Sequence, residues 1–351
     1  MKILITGNMG YVGPVLVQQL ADSRPDAVLL GIDTGYFAHC LTGCVIFPED
    51  RLAVQRFADL RRLPDNLFQD VDAVVHLAAI SNDPMGDRFS DVTHDINFRA
   101  SLALAKAAKA GGVGRFVFAS SCSVYGFAEG GARSEDAPLN PLTAYAKSKI
   151  GMEQELRELA DDEFVVTCLR FATACGASDR LRLDLVLNDF VAGAIADKKI
   201  TVLSDGSPWR PLIHVKDMAL AMDWALGRDS TSGGAFLALN SGSNEWNYQV
   251  RDLAEAVAET IPGVEVSINK DAQPDKRSYQ VDFGLYKELA PQHQPRVTLK
   301  AAIEDLADRL EFMKFSDSDF RNSQLIRLKV LSEHCAQGRL NERLEWQQSR
   351  P

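Results

Sequence analysis

Three side chains that can move or orient a proton lie in two short segments near the middle of the chain. Tyr145 and Lys149 are four residues apart in TAYAKSK, and Ser121 lies in SSCSVYG, 24 residues before Tyr145. Residues four apart share one face of a helix, although such pairs also occur on solvated helices. A lysine ammonium beside a phenol lowers the phenol pKa from about 10 toward neutral pH. The spacing therefore predicts Tyr145 as a general base activated by Lys149, with Ser121 orienting the reacting oxygen.

A second group of residues predicts an anion-binding turn near the amino terminus. TGNMGYVG places Gly7, Gly10 and Gly13 between the apolar KILI and the helical pattern VLVQQLA. Glycine at these positions permits a tight turn and a close approach of the backbone to a diphosphate, beside the N–H groups of a helix N-terminus. Asp33 ends the next apolar segment, 20 residues after Gly13, where a carboxylate binds ribose hydroxyls and repels a 2′-phosphate. The predicted cofactor is therefore NAD, whose positive nicotinamide would add to the effect of Lys149 on Tyr145.

The elements that must position these residues alternate along the first half of the chain. The apolar segments KILIT, VLLGID, AVVHLAA, GRFVFASS and EFVVTCLRF are separated by amphipathic stretches long enough for helical crossovers. Strands that are continuously apolar are typical of parallel sheets buried on both faces. The sequence therefore predicts an α/β fold, a Rossmann-type doubly wound parallel sheet with a smaller mixed α/β C-terminal substrate lobe.

The pattern changes after about residue 172, where strands become sparse. AFLALNSG is predicted to return to the main sheet, and VEVSI is predicted as a short strand of the smaller lobe. We predict an NAD-binding domain over residues 1–172 with return segments near 210–245, and a substrate-binding lobe over 173–209 and 246–351. The charged tail after Asp317 carries Leu325, Ile326, Leu328, Leu331 and Leu340 at roughly helical spacing, which predicts an amphipathic helix docked on the body.

Composition narrows the class of protein. The 351 residues carry a net charge of −10 and show no basic run that could follow a phosphate backbone, which argues against a nucleic-acid partner. No leader pattern and no 18-residue apolar stretch are present, so we predict a cytoplasmic protein without a membrane partner. The six cysteines are expected to be reduced thiols. Cys40 and Cys44 have no second ligand pair at zinc spacing, so no metal site is predicted.

Taken together, these motifs resemble the extended short-chain dehydrogenase/reductase family, and within it the nucleotide-sugar epimerases, dehydratases and reductases. The resemblance covers roughly residues 1–285. It rests on TGNMGYVG, the DL at Asp59 and Leu60, HLAA from His76, Asn97, SSCSVYG, YAKSK, LRF from Leu169 and RPLIHVKDMA from Arg210.

The resemblance implies a role for individual positions around a bound NAD and a nucleotide sugar. Gly7, Gly10, Tyr11, Val12 and Gly13 would hold the pyrophosphate, and Asp33 the ribose. The remaining implied cofactor contacts are Asp59 and Leu60 at the adenine, and Leu77, Ala78, Ala79, Ala119, Ser120, Tyr145, Lys149 and Phe171 toward the nicotinamide. Asn97, counted with the cofactor site, would brace it near Lys149, and it could equally be an ordinary polar position of a helix. The implied substrate contacts are Ser81, Ser121, Ser123, Tyr145, Thr173, Asn188, Arg210 and Arg277. Thr173 stands where many relatives carry Asn. Arg180, Arg182 and Arg277 fit either phosphate recognition or solvated surface charge.

Members of this family differ in the residues that follow the catalytic hydroxyl, which here are Cys122 and Ser123. Related 4,6-dehydratases place Asp and Glu at these positions, and 3,5-epimerising relatives place Cys at the second, so both reactions are disfavoured. Cys122 stands one position early and fits either a base or a small buried hydrophobe. What remains, Ser121, Tyr145 and Lys149, suffices for NAD-dependent 4-epimerisation through a transient 4-keto sugar. An NAD(P)H-dependent 4-keto sugar reductase is the alternative.

Two further expectations concern catalysis and assembly. A non-catalytic dinucleotide-sensing protein on the same fold is disfavoured because Tyr145 and Lys149 are both present. The resemblance also implies a homodimer formed through the helices SLALAKAAKA and YAKSK, although an apolar stripe on a helix can equally well pack on its own sheet.

Overall fold

The chain is described by a computed structural model over residues 1–128, 130–272 and 278–347. Within these residues there are twelve strands, numbered in chain order: β1 Lys2–Thr6, β2 Val28–Asp33, β3 Val54–Phe57, β4 Ala73–His76, β5 Arg115–Ser121, β6 Val165–Phe171, β7 Thr173–Cys175, β8 Lys199–Val202, β9 Trp209–His214, β10 Phe236–Ser241, β11 Asn247–Gln249 and β12 Glu265–Ile268.

The α-helices alternate with the strands through most of the chain. They are α1 Gly13–Ser23, α2 Asp83–Arg88, α3 Ser90–His94, α4 Ser101–Ala110, α5 Ala144–Leu159, α6 Val186–Asp197, α7 Val215–Gly227, α8 Val250–Thr260, α9 Gly284–Leu289, α10 Leu299–Phe312 and α11 Arg327–Ala336. A π-helical stretch, Asp95–Ala100, joins α3 to α4.

The main sheet has seven parallel strands in the order β10-β6-β5-β4-β1-β2-β3, as the sequence predicted. All seven residues of β6 are buried, which is why its sequence VVTCLRF shows no polar alternation. The chain runs outward from β1 through β2 and β3 and then returns to the other side of β1 as β4. In sheets of this kind ligands bind beyond the carboxyl ends of the strands at such a reversal.

The segment AFLALNSG pairs with β6 as β10, and VEVSI contains β12, so both predictions are confirmed. The expectation of few other strands after residue 172 was wrong. β7, β9 and β11 form a three-stranded sheet, and β8 pairs with β12. β7, β8, β9 and β11 are three to six residues long, which is too short to show a clear alternation of apolar and polar residues. Pro211 inside β9 also disfavours a strand prediction. β9 thus lies outside the main sheet, and the predicted domain boundaries stay a prediction.

The tail folds back onto the body. α11 is shorter than the predicted helix and is followed by a turn and a β-bridge between Leu340 and Trp346. Leu331, Leu340 and Leu344 are buried in one apolar cluster with Tyr36 and Ile80. We call residues 320–347 the C-terminal strap. Among the helices of the described ranges, none is long and apolar enough to span a membrane.

Candidate active site

The glycine turn between β1 and α1 leaves no room for side chains at two positions. Gly7 has a φ of 74°, and a Cβ there would lie 2.5 Å from the backbone nitrogen of Ala78. A Cβ on Gly13 would lie 2.0 Å from the carbonyl oxygen of Asn8. In the described chain no side chain caps the first turn of α1, so its first N–H groups are available to an anion.

The carboxylate of Asp33 is fixed at the end of β2. It accepts hydrogen bonds from the backbone N–H of Met9 at 3.0 Å and of Gly35 at 2.7 Å. Burial raises the pKa of this carboxyl, and the two backbone donors oppose that shift. Beyond β3, Asp59 forms an ion pair with Arg61 at 2.5 Å. The two carboxylates therefore lie on the same side of the glycine turn, where the adenosine of a dinucleotide is expected.

The three side chains predicted to move a proton come together. α5 begins next to Thr143, whose hydroxyl caps the helix by accepting from the N–H of Ala146, so Tyr145 and Lys149 lie in its first two turns. The ammonium of Lys149 lies 5.4 Å from the centre of the Tyr145 ring and donates to the carbonyl oxygen of Ala119 at 2.7 Å. Ser121, at the end of β5, is a hydrogen-bonding partner of the Tyr145 hydroxyl.

The charge state of this group differs from the sequence expectation. Burial raises the pKa of Tyr145 to about 12, although the hydrogen bond with Ser121 lowers it. Burial also lowers the pKa of Lys149 to about 8. Desolvation disfavours the charged form of both groups, so Lys149 does not by itself bring the phenol toward neutral pH. The further positive charge of a bound nicotinamide would act on Tyr145 in the expected direction.

One cavity of about 1140 Å³ joins the glycine turn to these three residues. Most of the predicted site residues line it: Gly7, Gly10, Tyr11, Val12, Asp33, Asp59, Leu60, Leu77, Ala78, Ala79, Ser81, Ala119, Ser120, Ser121, Ser123, Tyr145, Lys149, Phe171, Thr173 and Arg210. The structure therefore collects residues at or just beyond the carboxyl ends of six parallel strands, β1 to β6, and residues of the segments after β6 around a single space.

Three predicted residues are not brought to this cavity. Gly13 lies beneath the turn, as its contact with Asn8 shows. Asn97 is buried and bonds both backbone groups of Ile80, so it positions the segment after β4. Asn188, predicted as a substrate contact, is fully buried and bonds Tyr11, Gly176 and Arg182. Arg277 lies outside the described residues.

A solvated-surface interpretation of Arg180 and Arg182 was wrong. Both are buried because each has a carboxylate partner, Glu49 for Arg180 and Asp184 for Arg182, at 2.7 Å. Cys122 is also fully buried, with its thiol donating to the carbonyl oxygen of Arg170 at 3.0 Å. Burial raises the pKa of the Cys122 thiol, so the structure favours its interpretation as a small buried hydrophobe over that of a base.

Comparison with known proteins decides the family. A model of the NAD dependent epimerase/dehydratase family matches residues 3–238. The chain belongs to this family. It is an NAD-dependent enzyme of the extended short-chain dehydrogenase/reductase type, as the resemblance predicted.

Relatives of known name extend the match over most of the chain. A UDP-glucose 4-epimerase of Bacillus subtilis is 31% identical over an alignment of 287 residues, and the match covers 76% of this chain and 84% of that protein. The low-salt glycan biosynthesis protein Agl12 of Haloferax volcanii is 26% identical over 313 residues, 88% of this chain and 98% of that protein. A UDP-glucuronic acid decarboxylase of Arabidopsis thaliana is 25% identical over 312 residues, 86% of this chain and 87% of that protein.

The fold is also similar to that of solved structures. The UDP-glucuronic acid 4-epimerase of Bacillus cereus, in complex with UDP-glucuronic acid and NAD, superposes with a TM-score of 0.74 at 24% identity. The match covers 89% of this chain and all of that one. The residues of this chain fit the cofactor of the family, since the glycine turn and Asp33 provide an anion cradle and a ribose acceptor at one end of the cavity.

The sequence pointed to Arg182 but not to its partner Asp184, and it did not point to Glu153. Arg182 and Asp184 form a buried pair that also holds Ser81, 3.2 Å from Arg182, and Asn82, 2.7 Å from Asp184. Their alternation in RLRLDL is the only signal that could have placed them on one face of an extended segment. Glu153, one further turn along α5 from Lys149, accepts from Ser120 and from Arg170. The spacing of Tyr145, Lys149 and Glu153 on one helical face could have indicated this second group.

Proposed function

We propose that this enzyme is an NAD-dependent nucleotide-sugar 4-epimerase that works through transient oxidation of the sugar at C4. NAD, when bound, supplies a hydride acceptor that returns the hydride later. The family assignment alone does not specify the reaction, because the relatives include a decarboxylase as well as 4-epimerases. The proposal adds that choice.

The side chains of this chain would divide the proton chemistry between them. Tyr145 removes the proton from the sugar O4 as the hydride leaves C4, and it returns the proton when the ketone is reduced from the other face. Ser121 binds the same oxygen and keeps it beside the phenol. Lys149 holds the charge that favours the phenolate. No net oxidation or reduction of the sugar results, because each step is reversed within one cycle.

One observation carries the choice of epimerisation, namely the positions of the two residues after Ser121. The thiol of Cys122 points to the carbonyl of Arg170 and is fully buried, while Ser123 lines the cavity with a neutral hydroxyl. Elimination of water, or epimerisation beside the ketone, needs a further acid or base at the sugar. Cys122 and Ser123 provide neither, which supports the reaction that requires only Ser121, Tyr145 and Lys149.

Carboxylates elsewhere in the cavity are engaged with neighbours, which also favours the minimal reaction. Three of them are each held by a nearby donor at 2.7 or 2.8 Å: Thr143 for Asp83, Arg182 for Asp184 and Arg321 for Asp189. Against the effect of burial, Arg182 lowers the pKa of Asp184, so this carboxylate is a poor proton donor at neutral pH.

The substrate class proposed is a UDP-sugar, because UDP-sugars are named for several of the relatives. Thr173, Ser81 and Arg210 line the cavity and are proposed substrate contacts. An arginine at this position suits a diphosphate. Arg277 remains a proposed contact of the same kind.

The test is product analysis with UDP-glucose, UDP-galactose and the two corresponding UDP-uronic acids. We expect one pair to be interconverted to the same equilibrium mixture from either side, without added reductant and without net change in absorbance at 340 nm. Stoichiometric consumption of NADH or NADPH with a 4-keto sugar would identify the alternative, a reductase. Loss of water or of carbon dioxide from the sugar would contradict both.

A further inference from the structure

The C-terminal strap contacts the cavity on the side where the adenosine of NAD is expected. Trp346 donates to the carbonyl oxygen of Thr34 at 2.7 Å, and the hydroxyl of Tyr36 donates to the carbonyl of Leu344. Arg61, the partner of Asp59, donates to the carbonyl of Arg343 at 2.7 Å. The strap therefore joins the segments that follow Asp33 and Asp59.

The same strap places one cation in the cavity wall. Arg327, the first residue of α11, lines the cavity and is only 2% exposed. Its guanidinium donates to the carbonyl oxygens of Arg180 at 2.7 Å and Leu181 at 3.2 Å and lies 4.9 Å from the centre of the Phe37 ring. Within the described ranges it has no carboxylate at ion-pairing distance. A buried guanidinium without a counter-charge is costly, and an anion in the cavity would relieve that cost.

A second guanidinium stands near the first. Arg182 also lines the cavity, and it comes two residues after the carbonyl that holds Arg327. Three of its N–H groups donate hydrogen bonds to Asp184 and Ser81. A guanidinium has five N–H groups, so in the described part of the chain two remain for a ligand. The positive charges of Arg182 and Arg180, after burial itself, help to lower the pKa of Arg327 to about 10. The group nevertheless stays protonated at neutral pH, so this part of the wall carries a positive potential.

The segment that carries Arg182 is packed directly on the glycine turn. The hydroxyl of Ser178 donates to the carbonyl oxygen of Tyr11 at 2.6 Å. The hydroxyl of Tyr11 in turn donates to the carbonyl oxygen of Gly176 at 2.6 Å. The turn itself, TGNMGYVG, offers backbone N–H groups but contains no cationic side chain. A dinucleotide diphosphate carries two negative charges, for which this turn supplies hydrogen bonds and a helix dipole but no full positive charge.

We propose that Arg327, with Arg182 beside it, binds the diphosphate of NAD from the side that the glycine turn does not cover, so that the C-terminal strap is part of the cofactor site. The neighbours of Arg327 decide between this diphosphate and that of the nucleotide sugar. Phe37 lies four residues after Asp33, and Arg180 and Leu181 belong to the segment packed on Tyr11, so Arg327 lies toward the cofactor half of the cavity. The proposal concerns cofactor binding and holds whichever sugar reaction the enzyme catalyses.

The test compares Arg327→Met with Arg339→Gln, which also removes a positive charge but at an exposed arginine of the same strap. Nucleotide-free protein is titrated with NADH, ADP-ribose, adenosine and UDP. We expect Arg327→Met to weaken NADH and ADP-ribose by about tenfold or more, as for loss of a charge-assisted hydrogen bond. Adenosine and UDP, which lack the cofactor diphosphate, should bind as they do to the unchanged protein. Arg327→Lys keeps the positive charge but loses the planar pair of N–H donors, so its affinity for ADP-ribose should lie between those of the unchanged protein and Arg327→Met. Arg339→Gln should bind all four ligands as the unchanged protein does.

Three results would overturn the proposal. Unchanged binding of ADP-ribose to Arg327→Met would show that Arg327 is not a ligand. Weaker binding of UDP but not of ADP-ribose would assign it to the substrate diphosphate, and equal weakening of adenosine would show that only the fold of the strap is affected. Should Arg327→Met not fold, amide hydrogen exchange of residues 325–336 in the unchanged protein decides. ADP-ribose should slow this exchange and adenosine should not, whereas equal effects of the two would contradict the proposal.

Discussion

At the scale of single residues, the site is defined by ionisable groups held out of water. Tyr145 and Lys149 are both shifted toward their neutral forms, Tyr145 to a pKa of about 12 and Lys149 to about 8. Lys149 is 3% exposed, and its charge is stabilised by the carbonyl oxygen of Ala119, by two aromatic rings and by the charge of Glu153. In the proposed reaction, the positive charge of a bound nicotinamide would favour the ionised form of Tyr145.

Replacement of Tyr145 by Phe removes the hydroxyl while keeping the ring. We expect kcat to fall by about 10² to 10⁴, the usual contribution of a positioned proton-transfer group, with NADH binding essentially unchanged. The measurement is the initial rate of UDP-sugar interconversion together with NADH fluorescence. Tyr248→Phe, at a tyrosine away from the cavity lining, serves as the control. Full activity of Tyr145→Phe would remove Tyr145 from the proposed mechanism.

The lowered pKa of Lys149 predicts a specific dependence of stability on pH. The folded protein releases this proton at about pH 8, whereas the unfolded chain keeps it up to 10.5. The cost of burying the charge is therefore complete below pH 8 and disappears between pH 8 and 10.5. One pKa unit corresponds to about 1.4 kcal/mol, so the unfolding free energy should rise by about 3 kcal/mol relative to Lys149→Met over this range.

Urea denaturation of the two nucleotide-free proteins at pH 7 and pH 10 measures this difference. A difference in unfolding free energy that stays constant with pH would mean that Lys149 keeps its ordinary pKa in the fold.

At the scale of elements, α5 carries both the reactive residues and their anchor. Tyr145, Lys149 and Glu153 repeat every four residues along one face. Glu153 accepts from Ser120 of β5 at 2.5 Å and pairs with Arg170 of β6 at 2.7 Å, and both charged side chains are buried. The helix is thereby fixed to the two strands whose ends bear Ser121 and Phe171, which sets the distance between phenol and hydroxyl.

Breaking this anchor should destabilise the protein strongly. Glu153→Ala leaves Arg170 buried without its carboxylate, and we expect a loss of about 3 to 5 kcal/mol in unfolding free energy. The double variant Glu153→Ala with Arg170→Met removes both charges and should lose less than the sum of the losses of the single variants Glu153→Ala and Arg170→Met. Calorimetric or urea unfolding checks both. Losses that simply add in the double variant would show that the two side chains do not act as a pair.

At the scale of the whole molecule, the cavity lies where three parts of the chain meet. The reversal of strand order at β1 and β4 opens the space, segments that follow β6 supply Thr173, Asp184 and Arg210, and the C-terminal strap adds Arg327. In the proposed reaction NAD returns the hydride to the sugar within one cycle, so the cofactor must stay bound throughout. A cavity enclosed by three separate segments of the chain would slow the release of the cofactor.

We therefore expect the purified protein to retain NAD. Denaturation should release close to one equivalent of dinucleotide per chain, identified by its absorbance and mass, and dialysis of the folded protein should remove it only slowly. A protein that purifies without nucleotide and binds NADPH better than NADH would contradict both the retention and the interpretation of Asp33.

Assembly is a separate question at this scale. The homodimer expected from the family resemblance, through α4 and α5, stays a prediction, as does the cytoplasmic location. Light scattering at micromolar concentration checks the dimer, and a monomeric mass would contradict it.

The sequence by itself determined the features of this protein that depend on interactions between residues close together in the chain. Glycine spacing at the turn follows from backbone sterics within eight residues, and the continuous apolar strands follow from burial on both faces. The positions of Gly7, Asp33, Ser121, Tyr145 and Lys149 around one space could thus be predicted, because each lies at the carboxyl end of a parallel strand or in the helix that follows it.

Only the tertiary structure decided which charges are buried and what they pair with. Arg180, Arg182 and Arg327 resemble surface residues in the sequence, because a charged side chain is usually solvated unless a distant partner holds it. Their partners are Glu49, Asp184 and backbone carbonyls, and Asn188 is used up by internal hydrogen bonds in the same way. For Arg180 and Arg327 these contacts join segments more than 100 residues apart, and no local pattern specifies them. Burial and pairing of this kind depend on contacts between distant segments of the folded chain. Secondary-structure propensity and hydrophobic periodicity contain no information about such contacts.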